Sequence, residues 1–404
     1  MHSVDVVVVG AGPAGTAAAI TLARAGREVL LVDKATFPRD KCCGDGLTTG
    51  ALRILERLGL DASAVTSWTP VDDVLVRSPS GREVTFPLPR GQGTFAAVAR
   101  RVDLDAALVD LARAEGVKVA DGHACDSATV GTDRITLEVA GIGDVAARYA
   151  VGADGMWSPL RKSLGATTEP SYLGEWHAFR QYFRDVGPRA ANELVVWFEP
   201  DLLPGYAWSF PLADGRANVG FGIQRGHAPT RHMKALWPDL LQRPHIREFL
   251  GADAEPESPH KAWPIPARVG DLPLQAAGGR ALFVGDAAAA TDPMTGEGIG
   301  QALLTGELAA AAITTAGPHD PARAGAGYEH AVRRELRADA TMSRVLLRAL
   351  CSELGARGAV RVAGTSDWTR RNFARWLFED YPRAYAVTPG RWREHSLTGA
   401  GARL

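Results

Sequence analysis

The chain has 404 residues, of which 46% are hydrophobic and 23% are charged, and its formal net charge is −1. This composition is that of a soluble globular enzyme, and the length allows a large core divided between two connected domains. The near-zero charge excludes the strong positive field that recruits nucleic acid, so we predict no nucleic-acid partner.

Localisation and metal binding follow from simple patterns. No segment approaches the roughly 20 uncharged apolar residues that span a bilayer, and Asp5 interrupts any apolar run of the kind found in signal peptides. We therefore expect a cytoplasmic protein. The cysteines lack Cys-x-x-Cys spacing and do not form a disulfide framework. No His or acidic cluster has metal-ligand spacing either, so we predict no metal site.

A glycine-rich turn near the N-terminus is the first motif with chemical meaning. A strand is predicted over the valine run 6–9, and a helix over 16–25, with GAGPAG between them. In this context Gly10 permits a tight turn, Gly12 lets a pyrophosphate approach the backbone, and Gly15 lets the helix pack on the strand. Free N–H groups at the helix start favour phosphate. The turn therefore predicts a nucleotide site, with an unliganded glycine turn as the alternative.

The next strand supports the nucleotide interpretation. It is predicted over 28–32 and ends at Asp33. A carboxylate at this position fits a ribose 2′-hydroxyl and would repel a 2′-phosphate.

The remaining elements alternate between strands and helices, but irregularly. Segment 72–89 reads as two β segments around a Ser-Gly turn. The segments ELVVWFEP, YAWSFPL and RANVGFGI, between residues 170 and 270, predict a separate antiparallel sheet. Other helices are predicted over 102–115, from Gly298 to about 314, and within 322–385; other strands are predicted over 117–119, 134–139, 147–151 and 281–284.

These elements predict an α/β fold with three parts. A Rossmann-like nucleotide-binding domain is interleaved with an antiparallel β-sheet substrate domain, and a helical segment follows at the C-terminus. The predicted boundaries are 1–70, 95–170 and 275–320 for the nucleotide-binding domain, 71–94 and 171–274 for the substrate domain, and 321–404 for the helical region.

Two later motifs add polar groups after predicted strands. In VGADGMWSPLRKSLG, Asp154 could contact a ribityl chain or pyrophosphate and Arg161 could balance phosphate charge, although Asp-Gly alone is also a plain turn signal. In FVGDAAAATDPMTGEGIG, the Asp286 carboxylate is placed to accept from sugar hydroxyls, and Gly296 and Gly298 would offer backbone N–H groups at a helix start.

Taken together, these motifs resemble the FAD enzymes related to para-hydroxybenzoate hydroxylase. The resemblance rests on GAGPAG with Asp33, on Arg101 (with Arg100 as the competing arginine), on GADG at 152–155 and on the string at 285–300. It implies FAD as the cofactor. The candidate FAD-binding residues are Gly10, Gly12, Pro13, Ala14, Gly15, Asp33, Lys34, Gly44, Arg101, Cys125, Asp154, Gly285, Asp286, Gly296, Gly298 and Ile299.

Within that group the chain resembles the geranylgeranyl reductase family, including menaquinone side-chain reductases. FPRDKCCGDGL resembles the family's Pro-x-x-x-x-Cys-Gly signature with Cys43 as its cysteine, and PGYAWSFPLADGRANVGFG matches its aromatic string. The resemblance implies that reduced FAD, recharged by NAD(P)H or a protein electron donor, reduces carbon–carbon double bonds of a prenyl chain or similar apolar substrate. Cys43 is the candidate proton relay.

The aromatic string also has a physical interpretation. Tyr206, Trp208 and Phe210 alternate along a strand and therefore point to one face, where they suit a long apolar ligand. Packing of that face on the core is the alternative. We predict Tyr206 and Trp208 as catalytic, and Phe210, Gly220 and Gly222 as substrate-binding. Gly220 also begins a run that superficially suggests a second dinucleotide loop, but its β context excludes one.

Other functions on the same scaffold are an aromatic hydroxylase, a halogenase or a catalytically idle FAD-binding protein. Halogenation is disfavoured because no lysine lies between Lys41 and Lys118 and because Phe210 replaces the isoleucine of the halogenase string. Hydroxylation stays open, and an idle protein would leave the aromatic string and the Cys43 loop without a purpose.

The C-terminal region offers one candidate membrane contact. Segment 368–385 mixes arginines with Phe373, Trp376, Leu377 and Phe378. Such a helix is compatible with a peripheral contact on anionic lipid. Packing against its own domain is the alternative.

Overall fold

The computed structural model describes residues 2–167, 169, 172–226, 233–392 and 397–404. In these residues, the first of two eight-stranded sheets has a parallel centre. Strand His2–Val9 lies between Val29–Asp33 and Gly143–Gly152, and Ala281–Phe283 runs parallel to the latter. The sheet is completed by Lys118–Asp121, Cys125–Val130, Ile135–Val139 and Gln275–Ala276.

Helices pack closely on the parallel strands because small residues face one another. A Cβ on Gly15 would lie 1.7 Å from the Gly10 carbonyl oxygen, and a Cβ on Gly306 would lie 2.2 Å from that of Ala14. Helices Pro13–Arg24 and Ile299–Ala316 therefore contact each other directly beside the strand ends.

The second sheet is mostly antiparallel. Its strands are Asp73–Arg77, Glu83–Pro87, Trp176–Arg184, Leu194–Trp197, Tyr206–Leu212, Arg216–Gln224, Glu255–Pro256 and Lys261–Ile265. Helices Met233–Gln242 and Pro244–Leu250 cover one face through Trp237 and Phe249. A small third sheet joins Gly46–Leu47, Thr69–Pro70 and Ala97–Val98.

Most of the remaining chain is helical. The other helices are Thr49–Leu58, Arg101–Ala114, Pro159–Ser163, Pro188–Asn192, Pro321–Val332, Ala338–Leu350, Glu353–Ala363 and Asp367–Leu377, with a π-helical turn over Arg333–Arg337. Among the described residues, none of the helices combines the length and apolarity that a membrane crossing needs.

A backbone hydrogen bond and an ion pair join the C-terminal region to the nucleotide-binding part. The Thr49 N–H donates to the Phe378 carbonyl at 2.8 Å, and Arg53 pairs with the buried Asp380 at 2.6 Å. These contacts hold the last helices over the start of helix Thr49–Leu58, which follows the Cys43 loop.

The observed architecture is the predicted α/β fold with an interleaved antiparallel sheet and C-terminal helices. The three domain boundaries stay a prediction. The long strand Trp176–Arg184 and the two helices within 233–250 were not predicted. Gly220 and Gly222 lie inside strand Arg216–Gln224, which agrees with the rejection of a second dinucleotide loop.

Candidate active site

A cavity of about 970 Å³ lies between the two large sheets and the C-terminal helices. A volume of this size is at the upper end of ordinary ligand sites. The predicted residues that line it are Gly10, Gly12, Pro13, Ala14, Asp33, Lys34, Cys43, Gly44, Arg101, Cys125, Asp154, Tyr206, Trp208, Phe210, Gly222, Gly285, Asp286, Gly296, Gly298 and Ile299. Two other predicted residues, Gly15 and Gly220, do not line it.

The glycine turn is shaped by close backbone contacts. Gly10 has φ +103°, and a Cβ there would lie 2.3 Å from the Ala153 oxygen. Gly15 packs the helix against the turn, as predicted, and does not line the cavity; its assignment as a cofactor-binding residue stays a prediction. Gly12 is different, because a Cβ there would meet nothing closer than 3.7 Å. Within the described ranges no side chain caps the helix that starts at Pro13, so its first N–H groups are available to phosphate.

Asp33 stands at the carboxyl end of its strand, beside the glycine turn. One carboxylate oxygen accepts from the Ala11 N–H at 2.7 Å and the other from the Ala35 N–H at 2.8 Å. Each oxygen has a further lone pair, so the carboxylate can also accept from ribose hydroxyls.

A pair of arginines flanks Gly12. Arg101 and Arg39 each place an Nη2 atom 3.7 Å from the position of a Gly12 Cβ, and both pair with the buried Asp105. Arg39 was missed because it lies in a loop without periodicity. Arg100, the competing arginine, turns away and pairs with Glu257 at 3.3 Å.

The Asp154 turn has a mixed role. One oxygen accepts from the Leu160 N–H at 3.0 Å, and the other is buried without a hydrogen-bond partner among the described residues. Burial raises the pKa of Asp154. Arg161 does not line the cavity: it donates to the Pro273 and Ala287 carbonyls and stacks on Phe283. Arg161 supports the Asp154 turn from the side away from the cavity, so its predicted phosphate role is wrong.

The last glycine motif opens helix Ile299–Ala316. Gly285 and Gly296 have φ values of +58° and +68°, conformations that favour glycine. The Glu297 carboxylate accepts from the Gly300 N–H at 3.0 Å. Burial, and then neighbouring Glu379, raise the pKa of Glu297.

These features fit FAD. The glycine turn and paired arginines suit its pyrophosphate, Asp33 suits the adenosine ribose, and the unpartnered Asp154 oxygen and Asp286 lie where a ribityl chain is expected. The Ile299–Ala316 helix start would face the pyrimidine ring of the flavin.

The Cys43 loop lies between the nucleotide residues and the aromatic strand. A Cβ on Gly44 would touch the Phe210 ring at 3.5 Å and the Trp208 ring at 3.7 Å. The Cys43 sulfur accepts from the Asp45 N–H at 3.3 Å. Burial raises the pKa of the Cys43 thiol to about 12, with Arg101 acting in the opposite direction.

Cys42 and Lys41 precede Cys43 in the same loop. Burial raises the pKa of Cys42 to about 11. The Lys41 ammonium lies 3.4 Å from the centre of the Trp263 ring, and burial lowers its pKa to about 8. The sequence indicated neither a role for Lys41 nor its aromatic partner.

The three aromatic side chains form one row on the cavity face of their strand, and the alternation is confirmed. Consecutive ring centres in the row Tyr206, Trp208 and Phe210 are 6.0 Å apart. Gly220 lies behind the row, where a Cβ would lie 2.3 Å from the Phe179 oxygen and 2.4 Å from the Trp208 ring. It makes room for Trp208 and does not line the cavity, and its predicted contact with substrate stays a prediction.

The polar atoms of this row are already engaged. The Tyr206 hydroxyl donates to the Thr295 carbonyl, and the Trp208 indole N–H donates to the Asn218 side-chain oxygen at 3.1 Å. Both residues therefore line the cavity with their polar atoms bonded to other parts of the protein.

The fold and site together define an FAD-dependent oxidoreductase. The model of the FAD binding domain family matches residues 3–304. Menaquinone reductase from Mycolicibacterium smegmatis is 36% identical over 344 residues, covering 78% of each chain. Digeranylgeranylglycerophospholipid reductase 1 from Methanopyrus kandleri is 30% identical over 320 residues, covering 76% of this chain and 79% of that relative. The chain belongs to the geranylgeranyl reductase family of FAD-binding oxidoreductases.

A solved structure has the same fold. The geranylgeranyl bacteriochlorophyll reductase-like protein from Thermoplasma acidophilum has a TM-score of 0.81 and 21% sequence identity, covering 97% of this chain and 100% of that chain.

Proposed function

We propose that this enzyme reduces carbon–carbon double bonds in a prenyl chain or a similar long apolar substrate. The supporting observation is the lining of the cavity, to which the Cys43 loop, the aromatic row and the C-terminal helices all contribute. These helices contribute Leu346, Ala349, Leu350, Val360, Phe373, Trp376 and Leu377. A long apolar wall of this kind buries hydrocarbon and leaves few polar groups to be satisfied.

The reduction needs a hydride on one carbon and a proton on the other. Bound reduced FAD supplies the hydride, and a nicotinamide or a reduced protein must recharge it. Cys43 is the proposed proton donor, because its raised pKa keeps the thiol protonated at neutral pH. Arg101 would stabilise the thiolate left behind.

Tyr206 and Trp208 are proposed to position the substrate. Burial raises the pKa of the Tyr206 hydroxyl, which is also bonded to a carbonyl, so it is a poor proton donor. The two rings can align a double bond over the flavin and exclude water.

The names of the relatives support reduction over aromatic hydroxylation, because the two described above are both reductases. The test is product analysis with purified protein, dithionite or NADPH, and a polyprenyl quinone. We expect each reduced bond to add two hydrogen atoms to the side chain, whereas an analogue with a saturated chain stays unchanged. A product that contains added oxygen and an unreduced chain would contradict the proposal and favour the hydroxylase.

The site of lipid contact is also proposed, but not where the sequence suggested. Phe373 packs on Phe86 with ring centres 4.7 Å apart, and Phe373, Trp376 and Leu377 line the cavity, so only Trp368 of the large apolar residues in helix Asp367–Leu377 is exposed. Helix Glu353–Ala363 instead exposes Leu354 and Val362, by 80% and 68%.

The same helix carries exposed Arg357 and Arg361, while its Val360 lines the cavity. A peripheral contact here would place the cavity wall beside anionic lipid, where basic and apolar side chains both bind. We expect sedimentation with vesicles of phosphatidylglycerol but not of phosphatidylcholine alone. Replacing Leu354 and Val362 with Asp would abolish it; unchanged binding would contradict this contact.

A further inference from the structure

Asp45 is a buried carboxyl group directly behind the proposed proton donor. It is fully buried and has φ +67°, a backbone conformation that residues other than glycine seldom adopt. Its backbone N–H donates to the Cys43 sulfur at 3.3 Å, and it lines the cavity. The loop therefore holds a second acidic group two residues from the thiol in a strained conformation.

One oxygen of Asp45 is held by neutral donors. Its Oδ2 accepts from the Tyr182 hydroxyl at 2.6 Å and from the Asn218 side-chain N–H at 2.8 Å. Asn218 also donates to the Cys43 carbonyl at 2.9 Å and accepts from Trp208. The carboxyl group, the thiol loop and the aromatic row are thus one hydrogen-bonded unit.

The other oxygen, Oδ1, differs from Oδ2 in its surroundings. Asp45 Oδ1 is buried and makes no hydrogen bond within the part of the chain that the structure describes. An ionised oxygen left unpaired in a buried site is costly, whereas a protonated one carries no charge. This oxygen is therefore the natural place for a proton.

Burial and the neighbouring groups act on the pKa of Asp45 in opposite directions. Burial raises the pKa of Asp45 to about 6, while Tyr182, Arg180, Asn218 and Arg101 lower it in part. Arg180 and Tyr182 lie on strand Trp176–Arg184, and Arg101 starts helix Arg101–Ala114. Cys42 and Cys43 also interact with it electrostatically.

We propose that Asp45 is the proton reservoir that re-protonates Cys43 during double-bond reduction. The inference rests on the proposed function. When the Cys43 S–H bond breaks and a C–H bond forms on the substrate, the Asp45 O–H proton passes through one water in the cavity to the sulfur and restores the thiol, because neither carboxyl oxygen bonds the sulfur directly among the described residues. The carboxylate formed is stabilised by Tyr182 and Asn218 and takes up a proton from water before the next turnover. No electrons pass through Asp45.

The test uses the FAD-loaded protein and two substitutions. Asp45→Asn removes the proton but keeps a residue that tolerates the left-handed backbone. Tyr182→Phe removes a donor that lowers the Asp45 pKa, so it raises that pKa. The rate of anaerobic flavin reoxidation by a polyprenyl diphosphate, whose head group takes no electrons, is measured from pH 5 to 9, with FAD content and thermal midpoint as folding controls.

We expect the wild-type rate to fall as pH rises through the Asp45 pKa. Asp45→Asn should be at least tenfold slower at pH 6 and lose that transition, and Tyr182→Phe should move it to higher pH. Infrared spectra of wild type, without substrate, should contain a carboxylic-acid band that disappears on the same titration and is missing from Asp45→Asn.

The outcomes separate the two proposals. An Asp45→Asn variant with the wild-type rate and pH profile would overturn the proton reservoir alone, as would a Tyr182→Phe profile that does not move. Wild-type protein that no prenyl substrate reoxidises would overturn the proposed function and this inference with it. If the Asp45→Asn variant fails to bind FAD, the pH profile of the Tyr182→Phe variant alone tests the proton reservoir.

Discussion

Arg101 donates two hydrogen bonds of 2.7 Å to Asp105, one turn further along the same helix, and both side chains are buried. Arg39 approaches the same carboxylate at 2.8 Å. One acidic group thus holds two guanidinium groups beside Gly12, which leaves positive charge for a phosphate at the helix start.

Substitution Asp105→Asn tests this arrangement. Removing one partner of a buried ion pair costs about 3–5 kcal/mol, so the free energy of unfolding should fall by about that amount. FAD affinity should fall about tenfold because the arginines lose their positioning group. Equilibrium unfolding and fluorescence titration with FAD measure the two effects. Asp110→Asn, on the exposed face of the same helix, should change neither; equal FAD binding by both variants would contradict the account.

Alanine substitutions at Gly12 and Gly15, two of the three glycines of the N-terminal turn, should have different effects. Gly15→Ala places a methyl group against the Gly10 carbonyl, so the protein should lose about 1–3 kcal/mol of stability. Gly12→Ala has room for its methyl group but fills the pyrophosphate position, so it should fold normally and bind little FAD. Thermal unfolding and bound flavin per chain separate these results. A Gly12→Ala protein that is fully yellow would argue against the placement of the pyrophosphate.

A second glycine pair tests the aromatic row. Gly220→Ala would collide with the Trp208 ring and the Phe179 carbonyl, so we expect a loss of about 1–3 kcal/mol and low activity. Gly222→Ala meets nothing within 4 Å and lines the cavity, so it should keep wild-type stability and raise KM for the substrate. The ratio of kcat to KM, with denaturant unfolding, measures both. Identical behaviour of the two variants would be inconsistent with the different roles assigned here.

The pH dependence of stability should report on Glu297. Burial and neighbouring Glu379 raise its pKa in the folded protein, so the folded state binds more protons than the unfolded chain above the usual glutamate pKa. The stabilisation is therefore complete at low pH and lost as pH rises through the raised pKa, with a slope of up to about 1.4 kcal/mol per pH unit. Urea unfolding of Glu297→Gln should show a flatter profile than wild type. Exposed Glu248→Gln should keep the wild-type slope; a Glu297→Gln slope equal to wild type would refute the assignment.

The nucleotide half of the fold could be predicted because its signals are local. The valine run, the glycine turn and Asp33 occur in one continuous stretch, and helix Arg101–Ala114 lies within one residue of its predicted position. Strand Trp176–Arg184 was missed because its buried face includes Arg180, whose charge conceals the apolar pattern. The helices after residue 233 were missed because Pro238 interrupts one and Pro244 starts the other.

In the site, too, the residues with local sequence signals were predicted and those without such signals were missed. Cys43 and the aromatic row follow from a motif and an alternation. Asp45, Tyr182 and Asn218 lie far apart in the sequence and meet only through tertiary structure. Their hydrogen bonds depend on the packing of the loop against the second sheet, which no local pattern encodes.

The most direct test of the central claim is anaerobic reoxidation of the reduced flavin. Purified protein is reduced to the colourless form without oxygen, a polyprenyl diphosphate is added, and the oxidised flavin absorbance is followed. The head group of this substrate takes no electrons, so we predict that the yellow colour returns as double bonds are reduced and that a saturated-chain diphosphate gives no return, with product analysis of both samples as the check. Flavin that stays reduced with the unsaturated substrate, and reoxidises only when oxygen and an aromatic substrate are admitted, would contradict the account.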